Sequence, residues 1–446
     1  MRKLSKTAVF VLVLTLVMGS ISGLAAAQTK TITLYHAFTS NTLLALRNLI
    51  NDFQKENPNI KVKAEYVGDA LIQKLQAAVA AGNPPDISWL HSGEHAEFAR
   101  GGAIYKIQDF MEGPNGLTQE EIDDFFPIMK SYMEYNYDGQ WWGLPVNATT
   151  MTFVYNKDMI RAAGIDPDNL NIDTWEDFAK VTSQISNPAK GEWGMFIPVF
   201  SGGMSSYFDW FFRPFIWAAG GKYVSDDLTT VAFDSPEAKK AVQFFYDLMH
   251  EYQGGTISPG AQAFEMGKVA FTLEGPWSIP GFNRLRFDWG AALYPLGPSG
   301  ERFQPSAGEP VVIFKDAKNP DEAWEFIKFW IRPDNMAKWA ITSGYLPTRR
   351  SVLEDPLYKT EVEKTPGLEI FVQGLEYGFE SETTPAYNRV VDIYANAVEL
   401  IMNQKIGIDE GLEEAAAEAN AAIAQYWLDN PEEYKDLMER LPNRNK

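Results

Sequence analysis

The chain has 446 residues, with 39 Lys and Arg against 59 Asp and Glu, a formal net charge of −20. Such a balance disfavours nucleic acid and anionic membrane surfaces as partners. Cysteine is absent, which excludes disulfides, thiolate nucleophiles, cysteine-ligated zinc and a lipid-attachment cysteine.

At 45% hydrophobic and 22% charged residues the composition is that of a globular protein, and the length exceeds what one core fills, so at least two domains are expected. Residues 1–27 read as a secretory signal. Arg2, Lys3 and Lys6 make the positive region, Ala8 to Met18 the apolar region, and Ala25-Ala26-Ala27 a small-residue cleavage site. The apolar run is shorter than the roughly 20 residues a spanning helix needs, so an exported mature chain starting near Gln28 is expected.

From there Thr31–Tyr35 alternates as a strand, and Leu43–Glu56 carries apolar residues at helical spacing until Pro58. Ile60–Val67 is a second strand, Leu71–Ala81 a second helix and Asp86–Leu90 a third strand. Strand alternating with helix implies parallel pairing in an α/β sheet, with any ligand at the carboxyl ends of the strands. His36, Phe38, Asp69 and Glu94 fall at or just beyond those ends. His91 and His95 have the spacing of a helical metal pair, but no third ligand clusters with them, and no metal or other cofactor is expected. The Asp166–Asp173 run lacks the glycine and final glutamate of a calcium loop and reads as a turn.

Gln140–Lys157 is a seam between two bodies: two tryptophans, breaks at Gly143 and Pro145, the uncharged polar Asn147–Thr150, then a strand over Met151–Tyr155. Thr174 with Asp177 caps a helix, Gly194–Gly221 is crowded with aromatic residues, and Ser235-Pro236 opens a helix to His250. Met266–Leu273 reads as a strand that delivers Glu274-Gly275-Pro276-Trp277 at its end. Strands over Trp289–Tyr294 and Val311–Phe314 follow, then a helix from Pro320 and a long Ala- and Glu-rich helix over Asp409–Leu428.

Several of these blocks carry a resemblance. Trp142-Gly143-x-Pro145 followed by Tyr155-Asn156-Lys157 resembles the matching segment of extracellular solute-binding proteins that serve ABC sugar importers. Thr174–Phe178, Gly267–Phe271, Glu274–Trp277 and Gly344-Tyr345-Leu346-Pro347 extend the resemblance over nearly the whole chain. It implies a two-lobed α/β periplasmic binding protein fold of type II, with the ligand cleft between the lobes. One lobe is expected from 28–142 plus 281–333, the other from 143–280 plus 334–446. It also implies a carbohydrate or polyol ligand, no catalysis, a monomer in the periplasm, and delivery to ABC permease subunits in the membrane.

Sugars present C–H faces that suit aromatic rings and hydroxyls that suit polar edges. With 13 Trp, 19 Tyr and 28 Phe, the candidates for stacking are Trp141, Trp142, Trp210, Trp217 and above all Trp277, which follows a forced turn. The polar candidates are Asp69, Glu94, Asn147, Thr149, Asp209 and Glu274.

A second ligand stays open. Leu144–Thr150, Ser306-Ala307-Gly308, Tyr345 and Arg389 resemble the glycerol-3-phosphate-binding branch, where Arg389 would grip a phosphate bidentately. The branch has a serine-rich turn where this chain has Glu274–Trp277, and a carboxylate there would repel phosphate. A secreted glycoside hydrolase would also need aromatics and paired carboxylates, but no pair of acids sits in a catalytic signature here.

Overall fold

The protein is described by a computed structural model over residues 29–91, 94–133, 139–199, 205–258, 260–379 and 386–444. The signal segment lies outside these residues. Among the described helices none is long and apolar enough to cross a membrane.

Two sheets organise the chain. The first begins with β1 (Lys30–His36), helix α1 (Ser40–Glu56), β2 (Ile60–Tyr66), helix α2 (Leu71–Ala80) and β3 (Ile87–Trp89). β1 pairs in parallel with both β2 and β3, so the helices cross over as the alternation requires. Helix α3 (His95–Arg100) follows, then helix α4 (Pro127–Met133) and β4 (Leu144–Thr150). Met151 alone separates β4 from β5 (Thr152–Asn156), and β5 belongs to the second sheet.

The second sheet is ordered β7-β6-β8-β5-β9, with β6 (Trp193–Phe196), β7 (Gly255–Thr256), β8 (Val269–Glu274) and β9 (Trp289–Ala292). Its helices include α5 (Trp175–Ile185), α6 (Ser205–Ala218) and α7 (Pro236–His250). Thr174 caps α5 by accepting from the Asp177 amide, and Ser235 caps α7 by accepting from Ala238. The chain then returns to the first sheet as β10 (Gln304–Ile313), which runs antiparallel to β3 and β4 and pairs with the short β11 (Gly378–Phe379). Helix α8 (Pro320–Ile331) and helix α9 (Pro333–Ser343) pack on the first lobe, α9 directly against α1. The last stretch, α10 (Tyr387–Met402), α11 (Ile408–Asp429) and α12 (Pro431–Arg444), packs on the second lobe.

The changes of sheet therefore do not coincide with the expected breaks at 142/143, 280/281 and 333/334. β4 was expected beyond the first break, yet it lies in the first sheet, paired with β10 from Leu144 to Thr150. β9 was expected in the first lobe, yet it pairs with β5 in the second sheet. α9 stays with α1. The chain crosses at Met151, between Ala292 and Gln304, and between Phe379 and Tyr387.

Two hydrophobic clusters fill the molecule, and Val154, Phe196, Val269 and Trp289 of the second sheet join the first of them. The aromatic run of α6 is largely interior: Phe208, Phe211, Phe212 and Phe215 are at most 1% exposed and interlock with Phe245 and Tyr394. Each such ring contributes roughly 1.5–3 kcal/mol through burial. At the crossings the backbone is stitched. The buried Gln304 donates from Nε2 to the Met151 carbonyl at 2.9 Å and accepts at Oε1 from the Tyr294 amide at 2.7 Å. Thr150 Oγ1 donates to the Pro305 carbonyl at 3.0 Å.

Candidate functional site

The carboxyl ends of β1, β2 and β3 form one rim, as the alternation requires. His36 ends β1 and is 1% exposed; its Nδ1 accepts from the Phe38 amide at 3.1 Å. Burial, helped by the charge of Arg47, holds its pKa down at about 4, so the ring is neutral near pH 7. Phe38 is buried among Trp89, Trp330 and Trp339, so it supports the rim from beneath. Asp69 occupies the turn Gly68–Ala70 after β2, but its side chain lies outside the described residues. Tyr66, which the sequence reading passed over, ends β2 with 56% of its surface exposed, beside His36.

Below the rim lies a carboxylate that the sequence reading also missed. Glu309, on β10, is 7% exposed and draws in donors from three other segments. Oε2 accepts from Asn147 Nδ2 at 2.7 Å and Trp89 Nε1 at 3.2 Å, and Oε1 from the Tyr345 hydroxyl at 3.5 Å. His91 Nδ1 stands 3.7 Å from Oε1. Burial alone would lower the His91 pKa, but its contact with Glu309 and the charges of Glu309 and Glu94 outweigh that and raise it. The available signal was a charge inside the buried strand Ser306–Ile313, because a buried carboxylate has to be paired.

Asn147 is fully buried and its amide is spent: Oδ1 accepts from Trp339 Nε1 at 2.6 Å while Nδ2 serves Glu309. It braces the floor rather than facing a ligand. Thr149 is 5% exposed, and its Oγ1 has no hydrogen-bond partner among the described residues. Gly308 pairs with Ala148 beneath helix α4, where a Cβ would come within 2.9 Å of Met129 Sδ and the methionine would have to move aside. Glu94 is partly buried; it accepts from the His91 amide at 2.8 Å, and burial raises its pKa.

The second lobe supplies the aromatic side. Trp210 on α6 and Trp277 after β8 stack with ring centroids 6.2 Å apart and planes 18° from parallel. Trp277 is 37% exposed. A ring held between them would need two contacts of 3.5–4.0 Å, about 7–8 Å in all. The pair therefore forms one extended platform rather than a sandwich. Gly275 is what admits this geometry, because a Cβ there would lie 2.1 Å from the Trp277 ring. Glu274 ends β8, accepts from the Ser278 hydroxyl at 2.8 Å, and has its pKa raised by burial. The turn also touches the other lobe: a Cβ on Gly344, next to Tyr345, would stand 3.6 Å from the Pro276 carbonyl oxygen.

Five sequence candidates fall elsewhere. Trp142 precedes β4 by two residues and lies five before Asn147, about 16 Å back along a strand that runs parallel to β3. It is partly buried there under Lys106. Trp141 is 5% exposed and packs edge-on to Phe125. Trp217 is 6% exposed between Phe303 and Phe379 at the crossings. Asp209 is 1% exposed and paired with Arg213. Arg389 is on the solvent side of α10, 61% exposed and bonded to Glu418 of α11. His95, at 1% exposed, is buried apart from the 60%-exposed His91 side chain, and no cluster of three metal-ligating side chains occurs among the described residues.

What remains is a tryptophan pair on the second lobe, whose turn touches Gly344, and a group of hydrogen-bonding side chains at the strand ends of the first. The chain is 25% identical over 379 residues to a maltotriose-binding protein of Pyrococcus abyssi, covering 83% of this chain and 77% of that one. It is 24% identical over 434 residues to an sn-glycerol-3-phosphate-binding periplasmic protein of Pectobacterium atrosepticum, covering 90% and 93%. The cyclic α-maltosyl-1,6-maltose binding protein of Arthrobacter globiformis superposes with a TM-score of 0.78 at 24% identity over 88% of this chain and 98% of that one. That likeness shows the two-lobed fold. The profile of the bacterial extracellular solute-binding proteins matches residues 48–366, and the chain belongs to that family.

Proposed function

We propose that this solute-binding protein captures a neutral carbohydrate or polyol between its lobes and hands it to the permease of an ABC importer. The observation that carries the ligand class is the stacked Trp210–Trp277 pair, with Trp277 37% exposed. Glu274 beside it and Glu309 across from it favour hydroxyl donors and repel a phosphate. Arg389, the candidate phosphate ligand, is paired with Glu418 on the outer side of α10. Tyr66, His91, Thr149 and Tyr345 are the polar groups best placed to meet ring hydroxyls, with Asp69 three residues after Tyr66.

Binding to both faces at once favours a closed arrangement, which is the form the permease would recognise. The signal-like segment 1–27 supports export to the periplasm, and the protein would act as a monomeric binder without turnover. Calorimetric titration with maltotriose, sn-glycerol-3-phosphate and simple polyols tests the reading. Heat of binding from a neutral sugar or polyol, with nothing released from a labelled oligosaccharide, is the expected result. Binding of glycerol-3-phosphate alone would replace the sugar by the phosphate reading, and product release would replace both.

A further inference from the structure

Trp210 sits at a weak point of its helix. α6 contains Pro214, which has no N–H to give to the Trp210 carbonyl one turn earlier and crowds that carbonyl with its ring. The turn that presents the indole is thus missing the backbone bond that would fix it. The neighbouring side chains span the same gap. Asp209 and Arg213, four residues apart, form an ion pair at 2.8 Å, with Arg213 fully buried and Asp209 1% exposed. The Tyr387 hydroxyl, on α10, donates to the other Asp209 oxygen at 3.0 Å. Arg213 also lies over the Tyr223 ring at 4.0 Å.

An ion pair taken this far out of water brings little net stability over an apolar substitute, so its placement calls for another role. Geometry supplies one. The pair brackets the proline from the two residues whose spacing matches the lost bond, and Tyr387 ties it to the first turn of α10. That turn follows the third crossing, which enters the helix through Ala386 at φ 56°.

We propose that Asp209, Arg213 and Tyr387 are positioning residues: together they splint the proline gap in α6 and so hold Trp210 parallel to Trp277. None of the three needs to touch ligand. The functional meaning rests on reading the tryptophan pair as a sugar platform, whereas the splint itself does not. Burial, followed by the charge of Asp209, raises the Tyr387 pKa, so its hydroxyl stays protonated and remains a donor.

The test uses the full mature chain without ligand. Two stacked indoles couple their transitions into a far-ultraviolet circular-dichroism couplet, which Trp277→Phe should remove and thereby identify. Tyr387→Phe, which deletes one oxygen, and Asp209→Asn should shrink or reshape the couplet at temperatures where helix content is unchanged. Pro214→Ala restores the N–H, and added to Tyr387→Phe it should bring the couplet back at temperatures where both variants are fully folded, so that the general gain in helix stability from removing a proline does not account for the recovery. Maltotriose affinity should fall about tenfold in Tyr387→Phe and recover in the double variant, the size expected for a lost bond to a charged group. An unchanged couplet in folded Tyr387→Phe and Asp209→Asn, or no recovery with Pro214→Ala, overturns the proposal. If the variants change the couplet as described while the wild-type chain binds no sugar, the sugar reading is overturned and the splint is supported.

Discussion

The two walls of the cleft are built on opposite principles. On the first lobe the polar groups are already bonded to one another: Glu309, Asn147, Trp89, Trp339 and Tyr345 form one network drawn from β3, β4, β10, α9 and the loop after it. On the second lobe the main groups are two stacked indoles, Trp210 resting against the hydrophobic core and Trp277 partly exposed. The network has most of its hydrogen-bonding capacity already used, while Thr149 Oγ1 has no partner among the described residues. The second wall has apolar area to bury. Rigidity on one side and unspent surface on the other is how a preorganised site keeps its entropic cost low.

Breaking the polar wall should have the largest effect, and on stability. Glu309→Ala leaves the Asn147 amide and the Trp89 indole without their acceptor, a loss of about 3–5 kcal/mol in denaturant unfolding. A change under about 1 kcal/mol would mean that the network is replaceable by water.

Protonation attacks the same wall more gently. With the His36 pKa at about 4 against an ordinary 6.5, the folded chain binds fewer protons than the unfolded one between those values. Its contribution is complete above pH 6.5 and is lost as pH falls toward 4, up to about 3 kcal/mol for this nearly inaccessible ring. Glu94 and Glu274, whose pKa values are raised, act with the opposite sign in part of that window. The wild type should therefore be compared with His36→Gln, whose stability curve ought to lack the His36 slope.

The aromatic wall should respond in binding rather than in folding. Trp277→Ala is expected to weaken sugar affinity by about 1–3 kcal/mol, with a smaller drop in thermal stability of the free protein than for a fully buried ring, because 37% of its surface is already exposed. Calorimetry and a melting curve on one preparation would separate the two. The smallest effect belongs to Arg389→Ala: a solvent-exposed pair with Glu418 should be worth less than about 0.5 kcal/mol, with no change in sugar affinity. A large loss of glycerol-3-phosphate binding in that variant would return the arginine to the site.

The alternating first lobe was legible because strand and helix periods are local properties, and β1 to β3 lie within a residue or two of where hydrophobic spacing put them. Trp277 was legible because Gly275-Pro276 forces the turn that exposes it. Glu309 was not, since the residues that make it a hub are 162 and 220 positions away along the chain. Gly308 was named as a possible ligand contact, and its packing against Met129 depends on a residue equally remote in the chain. Trp142 was misplaced because the sequence does not reveal how far below the rim β4 begins. Arg389 was misplaced because helical spacing gives a period and not the direction a helix faces.

The stitch at Gln304 carries a mechanical consequence. One buried amide grips the Met151 carbonyl of the first crossing and the Tyr294 amide of the second. Two connections fastened at a common point cannot lengthen or slide separately. A rotation of one lobe against the other that keeps both hydrogen bonds turns the two connections together, as a door turns on two knuckles of a single pin.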